Sequence, residues 1–178
     1  MKILLIGGSG SGKSAYGEKL LASFPPPQYY LATMLPYGAE GEKRILRHRA
    51  LRAEQHFITV ERYRQIDRLK LPAGNGSLLL ECLGNWVANE LFEPQGAGEA
   101  AVDAVLRGID SLCLQCPSLI VITNQVGSDG LPSSESTQRY MRVLGTCNRL
   151  LAARFDHVAE IVAGVPVWLK GALPCDPS

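Results

Sequence analysis

No apolar run in this 178-residue chain approaches the roughly 20 residues needed to cross a bilayer. A membrane-spanning helix is therefore not expected. Neither sign of charge is in excess: 18 Lys and Arg against 17 Asp and Glu leave a formal net charge of +1. No global field draws the chain to nucleic acid or to an anionic membrane, and no basic stripe alternates with aromatics. Cysteine is scarce and odd in number: Cys82, Cys113, Cys116, Cys147 and Cys175. That count argues against a disulfide framework. Cys113 and Cys116 have redox or half-zinc spacing, but there is no second such pair and no nearby histidine to complete a tetrahedral site. They read as plain helix cysteines. Internal repeats and low-complexity segments are absent. Met1-Lys2 runs directly into an apolar segment with no cleavage pattern, so a cytoplasmic protein is expected. The length suits one domain, 1–178.

What is present begins at once. Ile3-Leu4-Leu5-Ile6 leads into Gly7-Gly8-Ser9-Gly10-Ser11-Gly12-Lys13-Ser14, followed by a helical stretch. Gly7, four residues, then Gly12-Lys13-Ser14 fits the phosphate-loop pattern in full. Glycines let successive N–H groups curl around a phosphate, and the helix that follows adds its positive dipole end. Lys13 is placed to reach the β- and γ-phosphates and the Ser14 hydroxyl to ligand Mg²⁺.

Beyond the loop, strands and helices alternate. Strands are expected at Gln28–Thr33, Phe57–Val60, Ser77–Glu81, Leu119–Thr123, Val158–Val162 and Val167–Leu169. Helices are expected near 40–55, 63–69, 86–92, 99–114 and 133–154, the last with Ser133 or Ser134 as N-cap. The central strands are apolar throughout, which implies a mainly parallel α/β sheet covered on both faces. The short link at Gly164-Val165-Pro166 predicts an antiparallel C-terminal edge hairpin. Ligands of such sheets lie at the carboxyl ends of the strands, which gathers the phosphate loop, Thr33, Glu81 and Asn124 along one edge.

Two further groups carry chemistry. Glu81 ends an apolar strand where the phosphates belong; it can hold Mg²⁺ or a metal-bound water, or accept a proton from an attacking hydroxyl. Arg44, His48 and Arg52 recur every four residues on one helix face. Flanking cations keep the imidazole neutral near pH 7, and a neutral imidazole is a nucleophile toward phosphorus. On these residues alone, a solvated basic face with an idle histidine is the plainer reading. His56 and His157 have no comparable company and read as surface or strand-end residues.

The order of motifs resembles the bifunctional adenosylcobinamide kinase / adenosylcobinamide-phosphate guanylyltransferase family across nearly the whole chain. The resemblance rests on the phosphate loop, Tyr30-Leu31-Ala32-Thr33, Arg44-Ile45 with His48 and Arg52, Leu79-Leu80-Glu81-Cys82-Leu83 with Asn85-Trp86, Thr123-Asn124-Gln125-Val126-Gly127, and Val162-Ala163-Gly164-Val165-Pro166. It implies a three-layer phosphate-loop NTPase fold similar to RecA. It also implies GTP or ATP as phosphate donor with Mg²⁺, a corrinoid substrate, a histidine–GMP intermediate at His48, and a homotrimer. It places Thr33 and Arg52 with the loop residues and Glu81 at the nucleotide, Lys13 and Glu81 in catalysis, and Ser14 and Glu81 at the metal. The chain departs from the family pattern at Gln125, where a glutamate is usual, at Met141-Arg142 for Arg-Asp, at Arg149 for glutamine and at Ala39 for an acid.

Overall fold

The computed structural model describes residues 1–36, 38, 56–73, 75–125 and 134–173. The expected helix over 40–55, with Arg44, His48 and Arg52, lies outside them, as do Val126, Gly127 and the loop 128–132.

Among the described residues, β1 is Lys2–Gly7, β2 Gln28–Ala32, β3 Ile58–Glu61, β4 Ser77–Glu81, β5 Ser118–Asn124, β6 His157–Val162 and β7 Val165–Lys170. The helices are α1 (Lys13–Ala22), α2 (Leu83–Phe92), α3 (Ala101–Gln115) and α4 (Glu135–Arg154). The strands form one seven-stranded sheet in the order β3-β2-β4-β5-β1-β6-β7. Every pairing is parallel except β6 with β7. This is the expected α/β sheet with its antiparallel edge hairpin.

Strand alternation sorts the core into two layers. Leu4, Leu31, Leu78, Leu80, Val121 and Val158 face α2, α3 and α4. Ile3, Leu5, Tyr30, Leu79, Ile122 and Ala159 face the other way, onto Tyr16, Leu20 and Leu21 of α1. Helices therefore cover both faces, because the central strands offer apolar side chains to both.

Several boundaries differ from expectation for definable reasons. α2 begins at Leu83, not Trp86, because the Cys82 thiol caps it, accepting from Asn85 N at 3.5 Å. The segment 63–69 forms only one 3₁₀ turn, Ile66–Arg68, and a second 3₁₀ turn, Gly98–Ala100, precedes α3. The hairpin turn is Ala163-Gly164, with φ of 50° and 82°. Two positive φ values match the twist of a tight two-residue hairpin. β7 consequently starts at Val165 and runs through Pro166, which an edge strand tolerates. Ser134 is the N-cap of α4, accepting from Thr137 N at 3.2 Å.

Candidate nucleotide site

The loop between β1 and α1 turns on Gly10 and Gly12, whose φ of 73° and 88° suit glycine and few other residues. Ser11 N donates to Gly8 O at 3.3 Å, and Tyr16 N to Gly12 O at 3.0 Å as the helix starts. Lys13 is buried, and its amine donates to Gly8 O at 2.8 Å across the loop. Burial lowers its pKa, while Cys82 and the Glu81 carboxylate nearby pull it back up. Gly8, Ser9 and Gly10 form the exposed crest of the loop, and Gly7 lies buried at its base.

Two strands from β1 in the sheet, β4 ends at Glu81. Its Oε1 accepts from the Ser14 hydroxyl at 2.5 Å. Its Oε2 accepts from the Tyr30 hydroxyl. Tyr30 pairs with Leu79 in the β2–β4 register, so Glu81 is its diagonal neighbour on the same sheet face, within reach of a long aromatic side chain. α1 packs on that face, which brings Ser14 in its first turn to the same carboxylate. Sequence reasoning did not single out Tyr30 for this part. The signal lay in the strand alternation, but using it requires knowing that β2 and β4 are neighbours.

Thr33 is fully buried just past β2. Its hydroxyl accepts from Cys82 N and donates to Cys82 O, both at 2.8 Å. Asn89 Nδ2, from α2, donates to Thr33 O at 2.8 Å and to Tyr63 O at 3.0 Å. Thr33 thus meets the site through the backbone that follows Glu81. On the other side, Asn124 Nδ2 lies 3.9 Å from Cys82 Sγ, and Asn148 of α4 accepts from the Thr123 hydroxyl at 2.7 Å. Gln125 N donates to Gly7 O at 3.1 Å, tying the end of β5 to the loop.

Lys13, Ser14, Glu81 and the loop backbone are brought together. His48 and Arg52 lie outside the described residues. His56 is exposed, and His157 opens β6, its Nδ1 2.7 Å from Gly171 O. Cys113 and Cys116 are free thiols whose pKa values burial raises, that of Cys116 to about 11. Among the described residues no group of three His, Cys, Asp or Glu could hold a metal by itself. The Ser14–Glu81 pair does fit Mg²⁺: both donors are oxygens, and this ion is commonly held by one or two protein groups plus substrate phosphates.

A parallel sheet with a complete glycine loop before α1 and an acid beside its serine defines a phosphate-loop nucleotide-binding protein. The model of the cobinamide kinase / cobinamide phosphate guanyltransferase family matches residues 3–169, and the chain belongs to that family. It is 34% identical over 183 residues to the bifunctional adenosylcobalamin biosynthesis protein CobU of Escherichia coli (strain K12), covering 96% of this chain and 100% of that one. It is 33% identical over 176 residues to CobP of Pseudomonas aeruginosa, with the same description, covering 96% and 98%. Among solved structures, the P4 protein from bacteriophage phi6 in complex with ADP aligns over 93% of this chain and 52% of its own, at 14% identity and a TM-score of 0.45.

Proposed function

We propose that this protein phosphorylates adenosylcobinamide with GTP or ATP, then transfers GMP from GTP to the product, giving adenosylcobinamide-GDP and pyrophosphate. The observation that carries the first step is the Ser14 hydroxyl on Glu81 at 2.5 Å, with Lys13 in the same loop. Lys13 exchanges the Gly8 carbonyl for phosphate oxygens when nucleotide binds. The loop N–H groups hold the β-phosphate. Glu81 accepts from Ser14 and so turns a serine lone pair outward toward the metal position. Ser14 and Glu81 would hold Mg²⁺, which would supply positive charge to the triphosphate. The substrate hydroxyl attacks the γ-phosphorus, the bond from that phosphorus to the β-phosphate oxygen breaks, the nucleoside diphosphate leaves, and the hydroxyl proton passes to water.

For the second step we assign His48 as nucleophile. Its neutral nitrogen attacks the α-phosphorus of GTP and pyrophosphate leaves. A phosphate oxygen of the first product then attacks the histidine-bound phosphorus, and the P–N bond breaks. Arg44 and Arg52, four residues to either side in the sequence, would hold the phosphates. Family membership and the Arg44-His48-Arg52 spacing support this assignment. A homotrimer belongs to the same reading and is checked by light scattering in solution.

The test of the first step is transfer of γ-labelled phosphate from GTP to adenosylcobinamide. Lys13→Ala should abolish it, because both the charge and the reach of the amine are lost. Near-wild-type turnover by that variant would remove the phosphate loop from the reaction.

A further inference from the structure

A nucleoside triphosphate held by this loop has two ends, and the sheet separates what lies near each. Ser14, bonded to Glu81, marks the reactive end on the β4–β5 side of β1. A linear triphosphate engaged there by its β- and γ-phosphates carries its nucleoside away from Glu81. On that side β1 is bordered by β6, which turns into β7.

The turn is pressed against the loop, backbone to backbone. Gly164 N donates to Ser11 O at 2.8 Å. A Cβ on Gly12 would come within 2.9 Å of Gly164 Cα, so only glycine at position 12 lets the two segments approach this closely. At the ends of the turn stand Val162 and Val165, paired across the hairpin and 52% and 61% exposed. Exposed aliphatic side chains beside a phosphate-binding loop, on the side from which the nucleoside leaves, have the apolar character of small-molecule subsites.

We propose that the β6–β7 turn is the nucleoside shelf of the phosphate loop. Val162, Val165 and the Ala163-Gly164 backbone lie against the ribose and base, and the Gly164–Ser11 hydrogen bond fixes the shelf relative to the phosphates. This inference rests on the reading of the loop as a triphosphate site. The test is calorimetric binding of Mg·GTP and of Mg·tripolyphosphate, which has the phosphates without the nucleoside. The proteins compared are wild type, Val162→Ser/Val165→Ser, Lys13→Ala, and Val167→Ser as a control on the same strand away from the turn. The double variant removes apolar contact without adding charge. It should weaken GTP by about fivefold or more while leaving tripolyphosphate unchanged, and Val167→Ser should change neither. Unchanged GTP affinity would overturn the shelf. Equal weakening of both ligands would also overturn it, because the turn would then serve only to brace the loop. Intact tripolyphosphate binding in Lys13→Ala would instead refute the underlying phosphate-loop reading, and the shelf would fall with it.

Discussion

Glu81 has hydrogen-bond donors on both carboxylate oxygens, Ser14 on one and Tyr30 on the other. Two donors fix the rotamer of the carboxylate. Tyr30→Phe keeps the ring in the core and removes one donor. A hydrogen bond to a charged group contributes about 1.5–3 kcal/mol. The expected outcome is at least a tenfold rise, to order of magnitude, in the Mg²⁺ concentration for half-maximal kinase activity, with the protein still folded. An unchanged Mg²⁺ titration would mean that Tyr30 only packs. At this scale the meeting of Lys13, Ser14 and Glu81 was legible because it follows from local spacing and from the end of one strand. Tyr30 was not, since its partner is 51 residues away and depends on the register of β2 with β4. Thr33 was read as a nucleotide contact from its position at the edge. Its hydroxyl is engaged with the Cys82 backbone, a bond that strand assignment alone does not reveal.

Between elements, Trp86 of α2 packs directly on Gly108 of α3. A Cβ on Gly108 would lie 2.5 Å from Trp86 Cη2, and the indole is fully buried. The indole N–H donates to Glu90 Oε1 at 3.0 Å, and Glu90 also accepts from Gln65 N and Ala97 N. The ring therefore cannot swing aside without disturbing a buried carboxylate that ties two loops to α2. Gly108→Ala should lower stability by about 1–3 kcal/mol, as overpacking does, despite the better helix propensity of alanine. Urea denaturation followed by tryptophan fluorescence measures this; a gain in stability would show that the helices simply move apart. Most elements were legible from apolar runs and breakers. The exceptions have local causes: a thiol in place of the usual oxygen cap at Cys82, and an Ala-Gly turn that placed the expected hairpin's last strand two residues earlier than Val167.

For the molecule as a whole, buried neutral acids set the alkaline limit. Burial raises Cys116 and Cys147 from 9.0 to about 11 and Tyr140 from 10.0 to about 12. In each case the folded chain keeps a proton that the unfolded chain has lost. The stability these groups contribute is fully present below pH 9 and is lost as pH rises through about 11. Lys13 acts in the opposite sense, since burial lowers its pKa in the fold, but among the described residues it is one group against five, because burial also raises Cys82 and Cys113. Thermal unfolding should therefore move to lower temperature between pH 9 and 11, and replacing Cys147 by Ala should flatten that slope. A slope unchanged by the replacement would assign the alkaline loss to other groups.

The proposed function joins two phosphorus chemistries in one chain: phosphoryl transfer at the loop and nucleotidyl transfer at His48. It is tested most directly by intact-protein mass spectrometry after incubation with GTP and Mg²⁺, in the absence of corrinoid, on wild type and His48→Ala. An acid-labile mass increase of one GMP is expected in the wild type and none in the variant. A wild-type protein that binds GTP yet gains no mass, or an adduct that persists in His48→Ala, would contradict it.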